Sequence, residues 1–205
     1  QCSIVVSNKP SRMAVLAAAE LQWHIEQITG AKVPVVRETE EIKGLPIYIG
    51  ESPKVRELGL KNNAFADREF AVAFFPDALV LTGRADDWEK APDGPLNLEI
   101  KPFDMSGNRG PLFATYEFIE NFLGVRWYAP GDENIAWPEK TKTLTVTPRD
   151  IRRTPAIRDR NTAFGVNVKA WGENVDGDAR NLFQLRNKTA GGNIITHSFE
   201  GWPER

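Results

Sequence analysis

RGPLFATYEFIENFLGVRWYAPG, Arg109 to Gly131, is the stretch on which the reading of this chain turns. Leu112, Tyr116, Ile119 and Leu123 recur at three- and four-residue steps, so they share one helical face, with Phe118 and Phe122 beside it. Gly124 stands where a left-handed helix terminus belongs. Val125–Tyr128 then alternates as a strand, and Pro130-Gly131 ends it. Six of the twenty-three residues are aromatic, which poses two alternatives: a sugar-stacking surface or a packing seam. Burial of most of them is expected, each contributing roughly 1.5–3 kcal/mol. On the alternating strand, Arg126 and Tyr128 point away from Val125 and Trp127, which marks them as interface candidates.

Upstream, the same logic gives a second helix. From Arg12 to Thr29, the apolar residues Ala14, Ala17, Leu21, Ile25 and Ile28 form one face. Ser11 is the expected N-cap and Gly30 the expected C-cap. Short β-rich runs lie at Ser3–Val6, Val33–Val36 and Pro46–Gly50. Phe70–Phe75 and Ala78–Thr82 flank Pro76-Asp77, which predicts a hairpin. Thr143–Val146 is the last strand expected before a change of composition near Pro148. Residues 83–108 are polar and too long for an ordinary connection, so they hold a functional loop or an element of their own. The pattern predicts an α/β fold of the two-layer α+β type: a mixed sheet with two helices on one face. Residues 1–148 form that domain. Residues 149–205 read as a linker and an incomplete barrel-entry segment, with Ile157–Arg160 as a strand candidate.

Composition narrows the function. Net charge is −2 with no basic run, which argues against a nucleic-acid partner. No apolar stretch is long enough for a membrane helix. The single cysteine, Cys2, rules out an internal disulfide. There is no G-x-S-x-G elbow, no His/Cys cluster for zinc and no phosphate loop, so no metal or cofactor is expected. Asn174, Asp176 and Asp178 alternate like the start of a calcium loop, but Ala179 and Leu185 stand where that loop needs glycine and glutamate. The adjacent pairs Asp86-Asp87 and Asp132-Glu133 lie in turn-like sequence and read as solvated turn residues rather than a catalytic acid and base. His24 reads as an ordinary helix residue, and Trp23 and Trp127 as core residues. Trp88, Trp171 and Trp202, in loops among Gly and Asp, are candidates for ligand stacking.

AAAELQWHIEQITGAKVPVV followed by IYIGES, then the hairpin ending at Leu79–Gly83 and the Arg109–Pro130 motif, resembles the amino-terminal domain of alpha-glucuronidase-like and hexosaminidase-like glycoside hydrolases. It is most similar to an uncharacterised bacterial family that joins this domain to a TIM-like barrel. The resemblance covers roughly Ser3 to Val146. It implies that TPAIRDRN (Thr154–Asn161) enters a first barrel strand and that GGNIITHSFEGW (Gly191–Trp202) is a second barrel segment. By the same analogy Arg160 and His197 match positions near a sugar-binding mouth, and Arg126 and Tyr128 face the barrel. The bond-breaking carboxylates of such enzymes stand on later strands. The chain is therefore expected to be a non-catalytic accessory domain of a secreted or periplasmic carbohydrate-active enzyme, its partners a carbohydrate bound by the whole enzyme and the downstream barrel. The initial Gln1 is read as a processed start. The alternative is a stand-alone glycan-binding or protein-interaction domain.

Overall fold

The computed structural model describes residues 1–86, 94–99, 107–156 and 177–189. Eight strands and four helices are defined among them: β1 (Cys2–Val6), α1 (Arg12–Thr29), β2 (Val35–Arg37), β3 (Leu45–Ile49), α2 (Pro53–Glu57), β4 (Phe70–Phe75), β5 (Ala78–Gly83), α3 (Gly110–Asn121), β6 (Arg126–Trp127), β7 (Ile135–Ala136), β8 (Ile151–Arg153) and α4 (Gly177–Arg186). Six strands form one mixed sheet in the order β2-β1-β3-β5-β4-β8, and β6 and β7 form a separate two-stranded ribbon. β2, β1, β3 and β5 run parallel, and β4 and β8 join antiparallel to their neighbours.

Side-chain alternation sorts the strands into two faces. Ile4, Val6, Ile47, Ile49, Leu79 and Leu81 point into the main core. Val5, Tyr48 and Val80 point into a smaller cluster on the other side, together with Val55 of α2. The expected pair of helices, α1 and α3, covers the main face; Leu21, Ile25, Leu112, Tyr116 and Ile119 are all buried there. The opening question is thereby answered for most of the aromatic stretch. Phe113, Tyr116, Phe118 and Trp127 are core residues, and Phe122 packs against them.

Local chemistry explains why α1 runs where it does. The Ser11 hydroxyl accepts from the Ala14 N–H at 3.1 Å, and Gly30, at φ +74°, returns its N–H to the Glu26 carbonyl at 2.7 Å. α3 starts differently. No side chain caps it; its first residue is wedged against the end of β5. A Cβ on Gly110 would stand 2.4 Å from the Gly83 carbonyl carbon, and one on Gly83 would stand 2.8 Å from the Gly110 Cα. Two glycines let strand and helix backbones cross at contact, and the Gly110 N–H donates to the Arg84 carbonyl at 2.7 Å.

Three sequence expectations need correction. Thr143–Val146 joins no ladder; Leu144 and Val146 lie half-buried against the core instead. The free edge of β4 is taken by β8, with Val72 opposite Ile151 and Phe70 opposite Arg153, so the sheet gains a strand from beyond Pro148. β6 is shorter than the expected Val125–Tyr128 strand because only Arg126 and Trp127 find partners, Ala136 and Ile135. The end of α4 carries the buried Leu185 and reaches the main core. Ile157–Arg160 lies outside the described residues.

The two helix-associated glycines separate two causes of destabilisation. Gly110→Ala drives a methyl into backbone that cannot yield and is expected to cost about 2–3 kcal/mol or more. Gly30→Ala meets nothing within 4 Å and is expected to cost only about 1–2 kcal/mol, from its left-handed φ. Urea unfolding of the two variants should rank them in that order.

Candidate functional site

Charged groups on the two helices form the most strongly organised site. Glu20 lies on the same i, i+4 stripe of α1 as His24, and both are buried. The Arg186 guanidinium, at the end of α4, donates through Nε to Glu20 Oε2 at 2.9 Å and through Nη2 to Oε1 at 3.4 Å. The same guanidinium lies 5.2 Å over the Trp23 ring and 3.5 Å from Asp132. Burial works against its charge, but Glu20 outweighs that by attraction and hydrogen bonding, so the group is held above its usual value. The Tyr116 hydroxyl is buried nearby without a hydrogen bond of normal geometry. Burial, then the Glu20 charge, pushes its ionisation well above the ordinary tyrosine value.

A second buried carboxylate follows the same logic on α3. Glu117 is fully buried, with Arg153 of β8 at 3.0 Å, Lys188 at 3.2 Å and an Asn121 amide donating at 3.0 Å. Lys188 also reaches Glu120. On the other side of β8, Arg152 pairs with Glu69 at 2.7 Å and lies over the Phe65 ring; its hydrogen bond holds the Glu69 carboxyl below the usual range. Glu20 and Glu117 are the only buried carboxylates among the described residues, and both take their cations from beyond Pro148. Isolated carboxylates would not stay ionised at such depth; the arginines and lysine make the arrangement tolerable.

His24 sits in a fixed tautomer set by its two partners. Its Nδ1 faces the Glu20 carbonyl at 2.7 Å, and its Nε2 accepts from the Trp127 indole at 3.2 Å. Nδ1 must therefore carry the proton of a neutral ring. Trp23, Trp127 and Trp137 surround it edge-on. Burial lowers its pKa from 6.5 to about 4, against the raising influence of Glu20. Both aromatic expectations hold: Trp127 is a core residue and Trp23 packs half-buried on the core.

Arg126 and Tyr128 alternate outward as expected, with unequal consequences. Arg126 turns back onto the end of α3, where it donates to the Glu120 and Val125 carbonyls (2.8 Å to the latter) and neutralises the negative end of the helix. Tyr128 projects into solvent at 71% exposure. Trp88, Arg160, Trp171, His197 and Trp202 lie outside the described residues.

The acidic turns have structural tasks. Asp86 closes its loop by accepting from the Asn108 backbone N–H at 2.7 Å and side-chain amide at 2.9 Å. Asp132 and Glu133 are exposed in a single turn of tight helix. No group of His, Cys, Asp or Glu among the described residues is arranged to hold a metal ion, and no described helix is long and apolar enough to cross a membrane. No family model matches the chain, and no curated protein matches it. The sequence reading passed over Glu20, Glu117, Arg153, Arg186 and Lys188. The signal available was an acid at a core position of each helix: Glu20 between Ala17 and Leu21, and Glu117 between Phe113 and Leu123.

The His24 shift carries a pH dependence of defined sign. The unfolded chain binds the proton near pH 6.5, and the folded chain resists it to about pH 4. His24 therefore contributes no penalty above pH 6.5, and stability is lost as pH falls from 6.5 towards 4, by on the order of 3 kcal/mol. Denaturant unfolding between pH 7 and 4 should show a smaller loss in His24→Gln than in the parent.

Proposed function

We propose that the chain is the non-catalytic accessory portion of a larger carbohydrate-active enzyme of the glycoside hydrolase type, and that its task is to hold the polypeptide that follows it. The observation that carries this reading is the use of both buried carboxylates: Glu20 and Glu117 bind Arg186, Arg153 and Lys188. A pair working as acid and base would need free oxygens and about 5–10 Å between carboxyl groups around a shared cleft. Here each acid is saturated with cations and packed under protein. The resemblance in the 109–131 stretch supplies the enzyme class and the downstream barrel as the partner. Tyr128 offers that partner an exposed aromatic contact, and Arg126 stiffens the ribbon that presents it. Export to the periplasm or outside the cell belongs to the same proposal.

Two measurements test it. The full chain, mixed with aryl glycosides of uronic acids, N-acetylhexosamines and neutral hexoses, should release no aryl alcohol above the buffer rate; turnover lost on replacing one carboxylate would overturn the proposal. Arg186→Met leaves Glu20 buried and unpaired, which should cost about 3–5 kcal/mol. Limited proteolysis should then cut the chain beyond Pro148 faster than in the parent, with the 1–148 portion surviving. Equal resistance in the two proteins would show that the ionic clamp does not hold the downstream segment.

A further inference from the structure

We propose that the crevice at the carboxyl ends of the parallel strands is a binding site for a small polyhydroxylated molecule, a polyol or monosaccharide. Its position follows from topology. The chain leaves β1 through α1 on the main face to reach β2, and leaves β3 through α2 on the opposite face. The strand order therefore diverges between β1 and β3, and the connections on either side part to open a crevice there. Its volume is about 430 Å³, within the range of small-ligand pockets. Residues that directly follow all four parallel strands line it: Asn8 after β1, Glu38 after β2, Gly50 after β3 and Ala85 after β5.

The chemistry of the walls selects the ligand. Ser11 and Ser52 each accept one backbone N–H, from Ala14 at 3.1 Å and Val55 at 3.3 Å. A hydroxyl that accepts still has a hydrogen to donate, and neither finds an acceptor among the described residues. Ser52 is 3% exposed, so its unused donor faces the crevice from a buried position. Acceptors stand opposite. Glu38 is touched at Oε1 by the Asn8 N–H at a long 3.4 Å. Glu51 is touched at Oε1 by Arg56 at 3.6 Å and the Asn62 N–H at 3.4 Å. The second oxygen of each is without a partner among the described residues. Lys9 and Arg56 balance the two acids, so the crevice favours neither a strong anion nor a strong cation. The floor is held small: a Cβ on Gly50 would stand 3.3 Å from Ala14 and close to Pro111. Unused hydroxyl donors facing loosely held carboxylate acceptors suit a ligand whose own hydroxyls both donate and accept.

The test is amide chemical-shift mapping of the full chain, titrated with glucose, glucuronic acid, N-acetylglucosamine, glycerol and inorganic phosphate to well above the millimolar range. Shifts confined to residues 7–11 and 50–56 are expected with at least one hydroxylated probe. Glu51→Gln should weaken that binding roughly tenfold, the size of one charge-assisted hydrogen bond. Glu26→Gln, on the outer face of α1, should leave it unchanged, and matching melting temperatures would show that both variants are folded. Shifts with phosphate alone, shifts mapping elsewhere, binding indifferent to Glu51→Gln, or no shifts with any probe would each overturn the proposal. The site is independent of the accessory function, which the turnover and proteolysis measurements read separately.

Discussion

Two carboxylates buried on neighbouring helices set the electrostatic constraint that the rest of the structure must meet. Glu20 and Glu117 lie on α1 and α3, whose apolar faces fill the main core. Taking a carboxylate out of water costs several kcal/mol, and mutual attraction repays this only when geometry and hydrogen bonding are good. Each helix alone would therefore be a poor place for its acid. The solution reaches along the chain: Arg153, Arg186 and Lys188 arrive from segments that are otherwise polar, and those segments gain a defined place on the domain. Burial of acid and docking of the later chain are one event. The specificity is geometric as well as ionic, because the Arg186 fork meets both Glu20 oxygens while its face rests over Trp23.

Legibility in the sequence tracked the length and apolar content of each element. The Arg12–Thr29 helix, its serine and glycine caps and the Phe70–Gly83 hairpin could be read because local propensity and tertiary burial agree there. α2 could have been read from Ser52-Pro53, a cap followed by proline at the first helical position; with five residues and only Val55 buried, it has no periodicity to betray it. α4 is read poorly for another reason. Its docking relies on Leu185 and Arg186, and a charged residue at a helix end looks like any solvated terminus until its partner is known. Thr143–Val146 failed in the opposite direction. Its alternation is real, and Leu144 and Val146 do turn inwards, but a strand also needs an open edge, and β8 occupies the one beside β4. Register and partner choice are long-range properties that a window of residues cannot contain.

The aromatic density of the 109–131 stretch has a packing explanation. Phe113 meets Phe70 edge-on, Phe118 and Phe122 stack and meet Phe74, and Tyr116 meets Trp127. The rings connect helix to sheet and helix to ribbon, and the indole of Trp127 extends the connection to His24 on α1. Large rigid rings close a seam between elements with little loss of side-chain freedom. Tyr128 is the exception, and its exposure follows from strand alternation: once Trp127 is committed inwards, its neighbour must face out.

These features divide the molecule by location. The helical face is crowded, apolar at the sheet and ionic where the later chain docks, so its charges are occupied. The carboxyl end of the sheet is built from small and polar residues whose hydrogen-bonding capacity is only half used. That difference has a structural origin. The close crossing of Gly83 and Gly110 draws the start of α3 against the end of β5, and Ser11 and Ser52 start α1 and α2 directly after loops from β1 and β3. Three helices thus begin at one rim of the sheet without large side chains at their first residues. Packing that brings backbones together at that rim keeps side chains out of it, and the space left is polar because helix starts expose N–H groups and recruit hydroxyls to meet them. The same backbone geometry that fixes the two covering helices therefore also leaves the crevice open.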